Sequence, residues 1–185
     1  MTTPATVSAG CFDQEVWIRI EGRGNFQSSG SIRKFVQAMI QRGRREFVVD
    51  LASCDHMDST FMGTLTGISQ RLRELGQGSL LVINVTPRNV DLMENLGLNF
   101  LFGIEPAGST MRAPAELGGN LMQLPVDTIM EKDIILSAHE ALIAANPANA
   151  ERFHDVIEYL KHGGHGGYGG HGGHGGHGAQ GSASH

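Results

Sequence analysis

The chain has 185 residues, 40% of them apolar and 18% charged, with a formal net charge of −5. That is enough for one core with appendages or two small domains. Without a dense Lys/Arg block the chain has no electrostatic footprint for nucleic acid or an anionic membrane surface.

Residues 1–9 read as a flexible N-terminus, lacking the basic and apolar segments of a secretory signal. No apolar run approaches the roughly 20 residues of a membrane helix, so the expected location is the cytoplasm. Cys11 and Cys54 have neither metal nor disulfide spacing and are expected to be free thiols.

From Cys11 to Ile20, Phe12, Val16, Ile18 and Ile20 alternate with polar residues, predicting a first strand with one buried face. Gly22 and Gly24 break it. Asn25–Gln27 is expected to add a short second strand. Ile32, Phe35, Val36, Met39 and Ile40 follow the i, i+3, i+4 pattern of an amphipathic helix, with Ser29 or Ser31 as cap and Gly43 as stop. Arg42, Arg44 and Arg45, just beyond, complement that helix's dipole.

Phe47–Leu51 predicts a buried strand. After it the period changes to that of a helix, with Phe61, Leu65, Ile68, Leu72 and Leu75 as its core stripe. Asp58 and Ser59 stand at the mouth of this helix, where unpaired N–H groups and a partial positive charge accept a cap, a carboxylate or a phosphate. Capping alone accounts for the pair on spacing. Gly63 and Gly67 weaken the helix but let another backbone approach, either the sheet or a partner. Leu80–Val85 predicts a central strand, Pro87–Leu96 a short helix stopped by Gly97, and Phe100–Ile104 a last edge strand.

The order Val49-Asp50-Leu51, then His56-Met57-Asp58-Ser59-Thr60, then a helix rich in Gly and Leu or Ile, resembles the STAS domain of bacterial anti-sigma-factor antagonists over about residues 10–105. The resemblance implies an α/β fold with a four- to five-stranded mixed sheet covered by helices mainly on one face. It also implies a phosphorylation-controlled partner switch, which binds an anti-sigma factor of histidine-kinase-like ATPase fold and frees a sigma factor. The hydroxyl following the motif aspartate, Ser59, would be the phosphorylated one, with Thr60 as the fallback acceptor. Asp58, Ser59, Thr60, Phe61 and Met62 would form the partner surface. The chain departs from the family at Phe61, where a small residue is common. The alternative is a constitutive STAS adaptor of a transporter or signalling complex that is not phosphorylated.

Residues 106–126, rich in Pro and Gly, read as a linker. A helical extension over 127–161 follows, with Asp127 or Thr128 as cap and Thr128 and Glu131 as a capping box. Ile134, Ile135, Ala138, Ala141, Leu142 and Ala145 form its apolar side, Asn146-Pro147 breaks it, and Phe153, Val156, Ile157 and Leu160 mark a second helix. Two such helices cannot form a core alone. They must dock on the sheet domain, pair with a second copy in a homodimer, or bind a partner.

Residues 162–185 form a Gly/His-rich tail with too little apolar surface to order itself. Its His165, His171, His174 and His177 are candidate weak ligands for a divalent metal, and no other cofactor is expected. A G-x-S-x-G elbow, a Walker A loop, an HExxH motif and a zinc-type Cys cluster are all missing. The expected protein is therefore not an enzyme.

Overall fold

The computed structural model describes residues 4–109, 120–126, 129 and 131–163. Two strands, β1 (Thr6–Phe12) and β2 (Glu15–Gly24), open the chain as an antiparallel hairpin. The sequence pattern predicts a single strand over Cys11–Ile20. The structure instead turns at Asp13 and Gln14, with Asp13 in the left-handed region at φ 50°, a conformation short polar side chains tolerate. Asp-Gln is a weak hairpin signal. The turn also reverses the side-chain parity: Val16, Ile18 and Ile20 enter the main core, whereas Phe12 packs on the opposite face with Trp17. Residues 6–9, expected to lie in the flexible N-terminus, are part of β1 because Val7 and Ala9 have core positions to fill.

Asn25–Gln27 is not a strand. Asn25 caps α1 (Phe26–Gln41): its Oδ1 accepts from the Gln27 N–H at 3.0 Å, and Ser28 Oγ accepts the Asn25 N–H at 3.0 Å. This reciprocal pair satisfies two otherwise open donors. The helix therefore begins earlier than a Ser29 or Ser31 cap requires, and those serines are buried.

The remaining elements are β3 (Glu46–Met57), α2 (Ser59–Glu74), β4 (Ser79–Val85), α3 (Pro87–Asn95), a 3-10 turn (Leu98–Phe100) and β5 (Gly103–Pro106). Then come β6 (Met122–Leu124), α4 (Lys132–Ala145) and α5 (Asn149–His162). The sheet is six-stranded in the order β5-β4-β3-β2-β1-β6. From β2 to β5 neighbouring strands are parallel, and β1 and β6 are antiparallel to the strands beside them. Parallel neighbours need helical crossovers, which α1, α2 and α3 supply.

The expected last strand at Phe100–Ile104 starts later, because Phe100 ends the 3-10 turn with an exposed ring. The sixth strand lies inside the expected linker. Met122–Leu124 pairs with Ala9, Ser8 and Val7 of β1, capping an edge that otherwise leaves backbone groups unpaired. Three residues are too few for any period to announce a strand.

The main core lies between the sheet and its helices, with Phe47, Val49, Leu51, Leu65, Leu72, Val82 and Met93 inside it. The opposite face holds a smaller cluster of Trp17, Val48 and Ile83. Beside it Arg19 Nε meets Asp50 Oδ2 at 3.2 Å, while Asp50 Oδ1 accepts from Asn84 Nδ2 at 2.9 Å and the Ala52 N–H at 3.0 Å. A buried carboxylate so surrounded is compensated on both oxygens. No helix among the described residues is long and apolar enough to cross a membrane.

Candidate functional site

The parallel strands end beside the N-termini of α1 and α2. β3 runs beyond its expected end at Leu51 and stays paired with β2 up to Gly24 opposite Met57. The Asp58 N–H then donates to Gly24 O at 2.9 Å. Asp58 leaves the strand in an extended conformation (φ −102°, ψ 173°), and its Oδ1 accepts from the Phe61 N–H at 2.8 Å. That bond satisfies one open donor of the helix, and the negative charge meets the positive end of the helix dipole. Although Asp58 is exposed as a residue, partial burial of its carboxyl raises the pKa above the usual aspartate value. The backbone donors of Phe61 and Thr60, and the charge of His139, pull it back.

Ser59 is the first residue of α2 and is half-buried. Its Oγ lies 2.9 Å from Nε2 of His139, on the far side of the sequence. The other ring nitrogen, Nδ1, is 2.8 Å from the carbonyl of Ile135. A carbonyl only accepts, so Nδ1 carries a proton, and the Ser59 hydroxyl can meet Nε2 as donor or as acceptor. His139 is 3% exposed, and its ring meets that of Phe153 edge-on at 5.0 Å.

His139 comes from α4, which lies along α2. A Cβ on Gly63 would sit 2.2 Å from the Ala138 carbonyl oxygen, and one on Gly67 would be 3.9 Å from Ala141 Cβ. The two glycines thus admit α4, which corrects the expectation that they face the sheet or a separate partner. Gln70 Nε2 donates to Ala141 O at 3.0 Å and Arg33 donates to Ser137 Oγ at 2.7 Å. Asn149 at the start of α5 donates to Leu96 O at 3.1 Å and Leu142 O at 2.8 Å. The helical extension is therefore docked on its own sheet domain. It begins after Glu131, whose side chain makes no cap bond; Asp127 and Thr128, expected as caps, lie outside the described residues.

The expected partner-surface residues separate in the structure. Asp58 and Ser59 lie at the helix mouth, whereas Thr60, Phe61 and Met62 are buried, Phe61 completely. The Phe61 ring lies beneath Gly24, where an added Cβ would come within 2.8 Å of it. A ring held there packs the core and leaves nothing for a partner to grip. Cys54, also buried, has its thiol pKa raised by desolvation, which makes it a poor nucleophile.

His165, His171, His174 and His177 lie outside the described residues. Among the described residues no group of three or more His, Cys, Asp or Glu is placed to hold a metal ion. The residue that sequence reasoning missed is His139. Its one signal was a polar ring between Ile135 and Leu142 on the apolar side of α4.

The STAS domain family model matches residues 5–111, more than half of the chain. Solved structures similar to this chain include the anti-sigma factor antagonist SpoIIAA in its unphosphorylated form, at 19% identity over 60% of this chain and 91% of that one, with a TM-score of 0.47. The phosphorylated form of SpoIIAA, described as a Bacillus cell fate determinant, is 19% identical over 53% and 89%, with a TM-score of 0.46. The Thermotoga maritima protein TM1081 is 15% identical over 55% and 86%, with a TM-score of 0.48. No curated protein sequence matches the chain.

Proposed function

The chain belongs to the STAS domain family, and from that premise we propose that it is an anti-sigma-factor antagonist working as a partner switch at Ser59. Unmodified, it binds an anti-sigma factor of histidine-kinase-like ATPase fold in the cytoplasm and thereby releases a sigma factor, without catalysing a reaction itself. The observation that carries the reading is the position of Ser59: the first residue of α2, directly after an Asp58 cap, at the end of β3. Thr60, the fallback acceptor, is buried, whereas Ser59 is only half-buried, which favours Ser59.

A phosphate there adds about −1.5 to −2 charges. The helix N-terminus tolerates that charge, so the domain survives the modification. A complex that buries the same surface does not, because a desolvated dianion without a cationic partner costs several kcal/mol. A loss of about 2.7 kcal/mol weakens binding roughly a hundredfold.

The test is capture from extract of the source cell on wild type, Ser59→Ala and Ser59→Asp, together with mass-spectrometric mapping of phosphate after incubation with ATP. Recovery of a histidine-kinase-like ATPase by the first two baits and its loss with Ser59→Asp, with phosphate found on Ser59, is expected. Equal recovery on all three baits and no phosphate at Ser59 would mean a constitutive STAS adaptor. One observation favours that second reading: the Ser59 hydroxyl is already engaged by buried His139.

A further inference from the structure

We infer that α4 and α5 form an intramolecular cover over Ser59, and that docking of this cover and a phosphate on Ser59 exclude one another. The inference deepens the proposed function, since it concerns how the same serine is controlled. A phosphoryl group carried along the present direction of the Ser59 hydroxyl would meet His139 Nε2, which lies 2.9 Å from Oγ.

The His139 ring has little freedom to make room. It is 3% exposed, its Nδ1–H is committed to Ile135 O at 2.8 Å, and Phe153 stands against it at 5.0 Å. Asp58, directly before Ser59, adds a carboxylate that repels a phosphate dianion. Bulk and charge therefore act in the same direction.

The cover is built to come off as a unit. α4 begins with no side-chain cap. A groove of about 350 Å³ between α1, α2 and α4, bordered by Arg33 and Arg71, leaves the seam incompletely filled. Upstream, β6 ties the chain to the edge of β1, so a released extension stays attached to the domain. Any partner that needs the Gly63 and Gly67 face of α2 must displace α4 first, which places this chain's own helix in competition with it.

The experiment installs phosphoserine at position 59 of the full chain by codon reassignment and follows amide hydrogen exchange, so the outcome does not depend on any kinase or partner. Amides of residues 132–162 are expected to exchange at least tenfold faster than in Ser59→Ala, which removes the hydroxyl without adding bulk, while β3 and β4 stay protected. Equal protection of the extension in the two proteins overturns the inference, as does a His139 that clamps the phosphate and slows exchange.

A second measurement covers the case of general unfolding. Gly67→Cys with Ala141→Cys, in a Cys11→Ser background, places two Cβ atoms about 3.9 Å apart, within disulfide range. Phosphoserine at 59 should slow formation of this disulfide at least tenfold, and an unchanged rate overturns the inference. The capture experiment above tests the switch reading separately.

Discussion

α2 and α4 lie side by side, yet they are held by different means. α2 starts on a carboxylate cap, ends with Arg71 and Arg73 in its last turn, and buries Phe61, Leu65, Ile68 and Leu72. α4 has no side-chain cap bond and no basic residue in its last turn, and it meets the domain mainly along one helix. α2 walls the core along its length, whereas α4 lies over α2 and reaches the core through Leu142. The difference teaches that neighbouring helices can be held by different means: the one that carries Ser59 is fixed by its own cap and core stripe, and the one that meets Ser59 through His139 is held by its packing on that helix.

Substitutions can break or sharpen that contrast. The largest effect is expected from Phe61→Ala, which empties a fully buried site. It should lower the unfolding free energy by about 3–5 kcal/mol in urea titration of the whole domain. A loss confined to α4 and α5 would contradict the placement of this ring in the core.

Gly63→Val should act in the opposite place, because its Cβ meets the Ala138 carbonyl at 2.2 Å. Overpacking of about 1–3 kcal/mol corresponds to roughly 5- to 150-fold faster amide exchange in residues 132–162. The sheet should be spared, and loss of protection spread evenly over β3 and β4 would contradict the docked-layer description.

The smallest effects belong to Asp58. Removing the cap in Asp58→Ala is expected to cost about 1 kcal/mol, measured by the same titration. Asp58→Asn keeps an acceptor but removes the charge, so it isolates the pH response. Burial raises the Asp58 pKa, so the folded chain holds this proton more tightly than the unfolded one. The resulting stabilisation is fully present below the usual aspartate value and is lost as pH rises through the raised one. Stability of wild type relative to Asp58→Asn should therefore fall as pH rises across the carboxylate range; a flat or rising difference would refute the shift.

Much of the β3–α2 unit was legible in the chain because its determinants are local. The Asp58 cap and the stripe from Phe61 to Leu72 fall within 15 residues, and the structure places them as the pattern predicts. By contrast, β3 runs on to Met57 where a loop was expected after Leu51, and Leu75 ends the helix only partly buried. The β1–β2 turn was hidden because the spacing from Phe12 to Val16 mimics unbroken alternation, although the two side chains reach opposite faces. The α1 cap was misplaced because three serines nearby offer the same chemistry as Asn25, and only the strand's exit decides which of them meets the open N–H groups.

By itself, then, the sequence determined a one-sided α/β sheet and a serine at the mouth of its second helix, since hydrophobic period and capping act between close neighbours. Only the tertiary structure decided that β6 closes the sheet edge, that α4 packs on Gly63 and that His139 covers Ser59. Those outcomes depend on contacts across long stretches of chain, such as the separation of 80 positions from Ser59 to His139. Their partners are selected by packing, which leaves no periodic trace in the residues themselves.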